Sequence, residues 1–139
     1  MNDYKNMAQH IAEDWLNALS TSVTNQDIDA HMQLVSKNVH VYGIPGMETL
    51  DYQNWQYRRN NEFSKNKLLS LEYKLIRIKN DQLRRLCFQV EEQMMSTDGK
   101  AVLISKDILL EREEDDNWRV VEEKIHSWQK MEIGQQSNG

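Results

Sequence analysis

The sequence contains few structure breakers and almost no cysteine: among 139 residues there are one proline, five glycines and a single cysteine, Cys87. A single cysteine excludes an internal disulfide framework and any zinc site built from paired CxxC motifs. The longest wholly apolar run, residues 101–104, has four residues, far fewer than the roughly 20 that a membrane helix needs. The scarcity of proline and glycine predicts long regular elements joined by tight turns.

Charge of neither sign dominates the chain. Lysine and arginine number 17, aspartate and glutamate 22, and the formal net charge is −5. This balance argues against a dedicated nucleic-acid binder and against a basic membrane-surface protein. The N-terminus carries acidic residues where a signal peptide needs an apolar stretch. We therefore expect a soluble, cytoplasmic protein with neither a nucleic-acid nor a membrane partner.

The chain length favours one domain, which we place at residues 1–132, followed by a polar tail at 133–139 that we expect to be disordered. Residues 3–23 carry apolar side chains at helical spacing, with Tyr4, Trp15 and Val23 on one stripe. A shorter helix is predicted from a cap at Asn25 or Asp27 through Val35, with His31 or Met32 facing inward. Residues 38–43 are typical of a strand.

A turn and a third helix follow this strand. Pro45 and Gly46 suit the two central positions of a type II turn that begins at Ile44. Asp51 is a predicted N-cap for a helix over residues 52–66. The inward stripe of that helix mixes aromatic and charged side chains, which favours a face toward a partly polar cavity: Tyr52, Trp55, Arg59, Glu62 and Phe63. Because Arg58 and Arg59 are adjacent, we expect only one of them to face inward.

From Leu68 onward the pattern is that of strands. Four are predicted at residues 68–79, 83–95, 101–112 and 118–129, and their short polar connectors favour an antiparallel meander. The side-chain alternation changes phase near Leu75 and Ile76, which predicts a β-bulge or a strong twist there.

The predicted order is α-α-β-α-β-β-β-β, an α+β fold with helices packed on one face of a strongly curved antiparallel sheet. The other sheet face also carries apolar residues, including Leu103 and Leu109. We expect a second copy of the chain to cover them, forming a homodimer through the outer sheet face.

Three segments carry a resemblance to a known superfamily: an aromatic residue, Trp15, in the first helix; LVSKNVHVYGIPGMETLDYQNWQYRRNNEF at 34–63; and NWRVVEEKIHSW at 117–128. Together they resemble the nuclear transport factor 2-like superfamily, which includes SnoaL-like polyketide cyclases and ketosteroid isomerases. The resemblance implies a cone-shaped, cystatin-like fold with a pocket between the helices and the concave sheet. Such folds serve both enzymes and non-catalytic modules, so the fold alone does not decide function.

The residues that the resemblance assigns to steroid isomerisation are mostly absent. The position of the hydrogen-bonding tyrosine corresponds to Trp15, that of the general-base aspartate to Gly43, and that of the second acid to Asp107. We therefore do not expect a steroid isomerase. The Asp–Arg–Asp set of the superfamily's epoxide hydrolases is not recognisable, although Arg59 and Asp107 are present.

Other residues offer candidate acid–base groups. His126 lies near the end of the last strand, and histidine is a residue type that can act as an acid or a base; the alternative is an edge-exposed histidine or one satisfied by a neighbour. His40 and Tyr42 share one strand face and Val39 and Val41 the other. If the polar pair faces the cone, it forms a hydrogen-bonding dyad. If the valines face inward, both are surface groups.

The function that we predict is binding of a small, mostly apolar or aromatic molecule, with or without proton transfer of the isomerase, cyclase or dehydratase kind, and without a metal or organic cofactor. Glu91, Glu92 and Asp107 lie on strands that we expect to be neighbours, where paired carboxylates could serve acid–base chemistry or hold a divalent metal. Because no ligand-spacing motif supports a metal, we interpret them as alternating charges on a solvated strand. The alternative is a non-enzymatic dimeric scaffold or interaction module whose pocket is filled. The candidate catalytic residues are His126, His40 and Tyr42, and the candidate ligand-binding residues are Trp15, Trp55, Arg59, Phe63, Phe88, Asp107 and Trp128.

Overall fold

Three helices and six strands make up the computed structural model, which describes residues 3–132 and the side chains of residues 7–131. In chain order they are α1 (Asp3–Thr24), α2 (Ile28–Met32), β1 (Val35–Tyr42), β2 (Thr49–Leu50), α3 (Tyr52–Ser64), β3 (Leu68–Gln82), β4 (Arg85–Ser96), β5 (Lys100–Arg112) and β6 (Trp118–Glu132). The strands form one sheet in the order β2-β1-β6-β5-β4-β3. The Tyr4 side chain and the 133–139 tail lie outside the described residues.

The predicted α+β class and the order of its helices are confirmed. Asp27 caps α2 by accepting a hydrogen bond from the Ala30 amide at 3.1 Å, and Asp51 caps α3 by accepting one from Asn54 at 2.9 Å. Strands β3 to β6 form the predicted antiparallel meander. None of the helices in residues 3–132 has a stretch long and apolar enough to cross a membrane.

The sheet is mixed, because β1 lies parallel to β6, whereas every other pairing is antiparallel. A short strand that the sequence pattern did not predict, β2, pairs with the end of β1 through Val41 and Leu50. Two residues are too few to show the side-chain alternation by which strands are recognised. The partner of β1 is likewise set by the long-range fold and not by the local pattern.

Bulges decide which side chains face the helices. In β3 the register shifts between Leu75 and Arg77, which confirms the predicted irregularity near Ile76. In β6, opposite β5, the pairing skips Val121 and His126. Each bulge reverses the alternation of side chains beyond it. Val120 and Glu123 therefore lie on the same face although they are three residues apart in sequence, a spacing that would place them on opposite faces of a regular strand.

The core lies between the helices and the concave face of the sheet. Helix α1 packs on β3, and α3 packs on β1 and α2. Trp15 is 3% exposed, and its indole N–H donates to the Leu34 carbonyl at 3.1 Å. Inward residues of β4, β5 and β6 complete the main cluster: Leu86, Phe88, Val90, Ile108, Leu110 and Val120. At the other end of the same strands the inward residues become polar, and a cavity replaces the packed core.

The loop between β1 and β2 forms the predicted turn. The Met47 amide donates to the Ile44 carbonyl at 3.1 Å, and Gly46 has the positive φ of 80° that the third position of a type II turn requires. Gly43, at φ 93°, begins the loop. A Cβ atom at Gly43 would lie 2.6 Å from the Ile125 carbonyl oxygen, whereas one at Gly46 would meet nothing within 4 Å.

Replacing each of these two glycines by alanine separates the cost of a left-handed backbone conformation from the cost of the close approach between the loop and β6. Gly46→Ala places a side chain in left-handed backbone alone and is expected to cost about 1–2 kcal/mol of unfolding free energy. Gly43→Ala adds the collision with β6 and is expected to cost at least about 1 kcal/mol more. Urea denaturation of both variants measures the difference. Equal losses would contradict the requirement for close approach between the loop and β6.

Candidate functional site

A cavity of about 60 Å³ lies under α3, between the β1–β2 loop and the concave face of β4, β5 and β6. Its apolar walls are Val41, Ile44, Leu50, Met94, Ile104 and Ile125, with the rings of Trp55 and Trp128. Its polar walls are five charged side chains: Arg58, Arg59, Glu92, Lys106 and Glu123. Polar groups thus converge on an interior space that is otherwise lined by hydrocarbon, a pattern common to ligand sites.

Lys106 is the centre of a buried charged cluster. Its Nζ atom lies 2.9 Å from Glu92 Oε1 and 2.9 Å from Glu123 Oε1. Tyr73 donates its hydroxyl hydrogen bond to the same Glu92 oxygen at 2.6 Å. The Lys106, Glu92 and Glu123 side chains are 6%, 1% and 4% exposed. One ammonium group therefore serves two carboxylates in a region almost without water contact.

The two carboxyls in this cluster are shifted in opposite directions. Burial acts to raise the pKa of Glu92, but the charge of Lys106 and the hydrogen bonds from Tyr73 and Lys106 outweigh it, and the pKa is lowered. Burial also raises the pKa of Glu123; Lys106 opposes this, but the neighbouring negative charge of Glu92 adds to it. Neighbouring carboxyls whose pKa values are shifted in opposite directions are typical of acid–base sites.

Glu123 also has an unused acceptor. Its Oε2 atom is buried and has no hydrogen-bond partner among the described residues. A buried oxygen in this state costs free energy unless it is protonated or meets a donor. Since Glu123 lines the cavity, a bound molecule with a transferable proton can meet that requirement.

Both arginines of α3 line the cavity, which corrects the expectation that only one of them would face inward. Arg59 Nη1 donates to Glu62 Oε1 at 2.6 Å, while its Nε atom is buried without a partner among the described residues. Arg58 Nη1 reaches the Met47 sulfur at 2.9 Å. Long side chains let adjacent helix positions reach one cavity from two sides.

A buried histidine connects all three helices beside this cavity. Trp55 donates its indole N–H to His31 Nε2 at 3.0 Å, so the ring proton of neutral His31 lies on Nδ1, 2.9 Å from Ser22 Oγ. Ser22 in turn donates to the Leu19 carbonyl at 2.6 Å. Burial, with smaller contributions from the charges of Arg59 and Lys106, lowers the pKa of His31 to about 2. This chain of hydrogen bonds fixes the Trp55 ring in the cavity wall.

Of the predicted ligand-binding residues, Trp55, Arg59 and Trp128 line the cavity. Three others are buried elsewhere. Trp15 and Phe88 belong to the main core cluster, and Phe63 packs edge-on against the His31 ring at 5.7 Å between centroids. These three aromatics do not fill the cavity. The first half of α3 and the inward face of β6, rather than α1, supply the aromatic walls.

The three predicted catalytic residues and Asp107 lie outside the cavity, which corrects their expected placement. Val39 and Val41 face inward, so His40 and Tyr42 stack on the outer surface with ring centroids 6.3 Å apart. Asp107 faces outward because Lys106 and Ile108 on either side of it face inward. Its Oδ2 atom accepts from Lys79 at 2.7 Å and lies 3.1 Å from His126 Nε2. His126 faces away from the cavity because it follows the inward-facing Ile125 in the alternation of β6.

Sequence reasoning wrongly assigned Glu92 to a solvated strand face, whereas the residue is 1% exposed, and it missed Lys106 and Glu123. The first two were detectable, since Glu92 continues the inward alternation of Leu86, Phe88 and Val90, and Lys106 lies between Ile104 and Ile108 at the same parity. Glu123 was hidden by the bulges of β6. Among the side chains of residues 7–131, no three or more His, Cys, Asp or Glu residues form a group that could hold a metal ion.

The buried His31 predicts acid sensitivity. An unfolded histidine binds a proton near pH 6.5, whereas native His31 does not do so until about pH 2, so stability is full above pH 6.5 and falls as the pH decreases below it. We expect a loss approaching about 1.4 kcal/mol per pH unit from this group. His31→Gln should flatten the dependence between pH 6.5 and 5, and the exposed His126→Gln should not. Denaturant titration at each pH measures it. An unchanged slope in His31→Gln would refute the assignment.

Comparison with known proteins supports the architecture. No protein-family model matches the sequence, and no curated protein matches it significantly. Solved structures do resemble it. A nuclear transport factor 2-like protein of unknown function from Shewanella oneidensis superposes with a TM-score of 0.71 at 13% identity, covering 86% of this chain and 98% of the other.

Two further structures carry functional descriptions. A candidate scytalone dehydratase from Novosphingobium aromaticivorans gives a TM-score of 0.71 at 9% identity, covering 95% of this chain and 91% of the other. A ketosteroid isomerase-like protein from Erwinia carotovora gives 0.64 at 12% identity, covering 91% and 99%. At such identities the likeness concerns the fold alone. The chain has the cone-shaped fold of nuclear transport factor 2-like proteins.

Proposed function

We propose that this protein binds a small molecule in the cavity and exchanges a proton with it through Glu123. The observation that carries the proposal is the Glu123 Oε2 atom, buried and unpartnered among the described residues, on a carboxyl that lines the cavity and has a raised pKa. A carboxyl with a raised pKa is a better general base, and a better acid, near neutral pH.

The proton transfer that fits this arrangement starts from a carbon acid. Ionised Glu123 removes a proton from a carbon beside a carbonyl: the C–H bond breaks, an O–H bond forms at Oε2, and the electron pair moves to the carbonyl oxygen. The neutral carboxylic acid then returns a proton to the same carbon: the O–H bond at Oε2 breaks, the C–H bond forms again, and the electron pair moves back from the oxygen to restore the carbonyl group. The Arg59 Nε–H, buried without a partner among the described residues, is a donor for the developing oxyanion.

The walls set the size and the character of the ligand. Six aliphatic or thioether side chains and two indoles surround the polar groups, which favours a molecule that is mostly hydrocarbon around one oxygen function. The cavity volume of about 60 Å³ restricts the ligand to a small molecule. Because the apolar side chains largely exclude water from the cavity, each charged group there interacts more strongly with a bound molecule than it would in water.

The scaffold alternative also has an observation in its favour. A cavity of about 60 Å³ is well below the roughly 300 Å³ at which drug-sized ligand pockets begin. In that case Lys106 and its two carboxylates are a structural cluster and the functional surface lies elsewhere. The homodimer remains a prediction, with Leu103 and Leu109 half-buried on the outer face that it would cover. The cytoplasmic location also remains a prediction.

Hydrogen–deuterium exchange into small ketones tests the proton transfer. Acetone and cyclohexanone in D₂O, followed by ¹H NMR, are expected to exchange faster with the protein than in buffer. Glu123→Gln should reduce the catalysed rate by about 100-fold or more. Glu91→Gln, on the outward parity of the same β4 strand that carries Glu92, and His126→Ala should keep the wild-type rate.

Two results would contradict the proposal. A Glu123→Gln variant that exchanges at the wild-type rate would remove Glu123 from the reaction. Exchange no faster than in buffer for both ketones would favour the scaffold alternative. Circular dichroism of each variant confirms that the fold is retained.

A further inference from the structure

Both arginines of α3 have hydrogen-bond donors that no carboxylate occupies. Among the side chains of residues 7–131, Arg58 has no carboxylate within salt-bridge distance, and its one side-chain hydrogen bond is to the Met47 sulfur at 2.9 Å. A thioether is a weak acceptor and carries no charge. Arg59 is paired with Glu62 through Nη1, but its buried Nε atom meets no partner in the part of the chain that the structure describes. Both side chains line the same cavity.

The ion pairs around the cavity leave one cation without an anion. Arg59 is paired with Glu62, and Lys106 is paired with Glu92 and Glu123. The half-buried Arg58 has no carboxylate partner among the side chains of residues 7–131. A carboxylate on the ligand supplies that partner, and a charge shielded from water is more stable beside a counter-ion.

We propose that the ligand is a small organic monocarboxylate whose carboxylate is held by Arg58 and Arg59 and whose hydrocarbon body lies against the apolar walls. This inference rests on the proposed function, that the cavity binds a small molecule, and names its chemical class. Guanidinium groups bind carboxylates through paired, charge-assisted hydrogen bonds. A single carboxylate matches the one cavity cation, Arg58, that lacks a carboxylate partner among the described residues.

The walls distinguish an organic acid from an inorganic anion. Phosphate or sulfate would satisfy the arginines but leave the aliphatic side chains without a partner. Half-buried Arg58 lies on the outer part of the cavity, whereas Glu123 is only 3% exposed. A carboxylate bound at the arginines therefore leaves the inner end, with Glu123, to the rest of the molecule.

Matched pairs of probes test the class of ligand. Isothermal titration at pH 7 and low salt compares propionate and isobutyrate with their neutral isosteres, propionamide and isobutyramide, and with inorganic phosphate. The carboxylates are expected to bind about 10- to 100-fold more tightly than the amides, the range expected for a charged hydrogen bond. Phosphate is expected to bind more weakly than the carboxylates.

The variants locate the anion site. Arg58→Gln should weaken carboxylate binding at least about tenfold, and Arg58→Lys should lose less because it retains the charge. Arg84→Gln removes an exposed arginine outside the cavity, paired with Asp116 at 3.7 Å, and should bind as the wild type does. Glu123→Gln should still bind carboxylates although its ketone exchange is lost.

Several outcomes would overturn the inference. Equal affinity for carboxylates and amides, equal affinity for phosphate, wild-type affinity in Arg58→Gln, or no binding of either carboxylate would each exclude a carboxylate anchor. In all of these cases, ketone exchange that depends on Glu123 would still support the proposed function. If the wild-type protein bound carboxylates but did not accelerate ketone exchange, only the proton-transfer step would be overturned.

Discussion

The burial of Lys106 between two carboxylates is the constraint on which the rest of the site depends. Ions taken out of water are stable in a protein only when their charges and hydrogen bonds are compensated. Glu92 obtains that compensation from Lys106 and Tyr73. Glu123 shares the same ammonium group but keeps one oxygen without a partner among the described residues. The site therefore contains one carboxyl whose pKa is lowered and one whose pKa is raised.

The sheet places these groups inside the molecule by bending. The bulges of β6 place Glu123, Ile125 and Trp128 on the inward face. The bulge in β3 lets Tyr73, before it, and Ile78, after it, both pack against the core. Helix α1 covers one part of the concave face with packed apolar side chains, and α3 covers the other part with two arginines and Trp55. Gly43 allows the β1–β2 loop to close against β6. The cavity lies between α3, the β1–β2 loop and the concave face of the sheet.

Much of this architecture was predictable from local sequence signals. Caps at Asp27 and Asp51, the turn at Pro45 and Gly46, and the phase change at Ile76 each reflect a short-range preference of the backbone, and the structure confirms them. The site was less predictable, because its decisive residues are charged and a charged residue in a strand ordinarily indicates a solvated face. Parity alone would have found Glu92 and Lys106. Glu123 and the outward position of His126 depend on where β6 bulges, which is set by its pairing with β5.

Titration of the glutamate side chains by NMR, with ¹³C at the carboxyl carbon, tests the central claim most directly. The resonance that disappears in Glu123→Gln identifies Glu123, and the one lost in Glu92→Gln identifies Glu92. The account predicts that Glu123 takes up its proton at a pH above the ordinary range for glutamate, and Glu92 below it. If Glu123 titrated within or below the ordinary range, it would be a charged structural partner of Lys106, and the acid–base role assigned to the cavity would be contradicted.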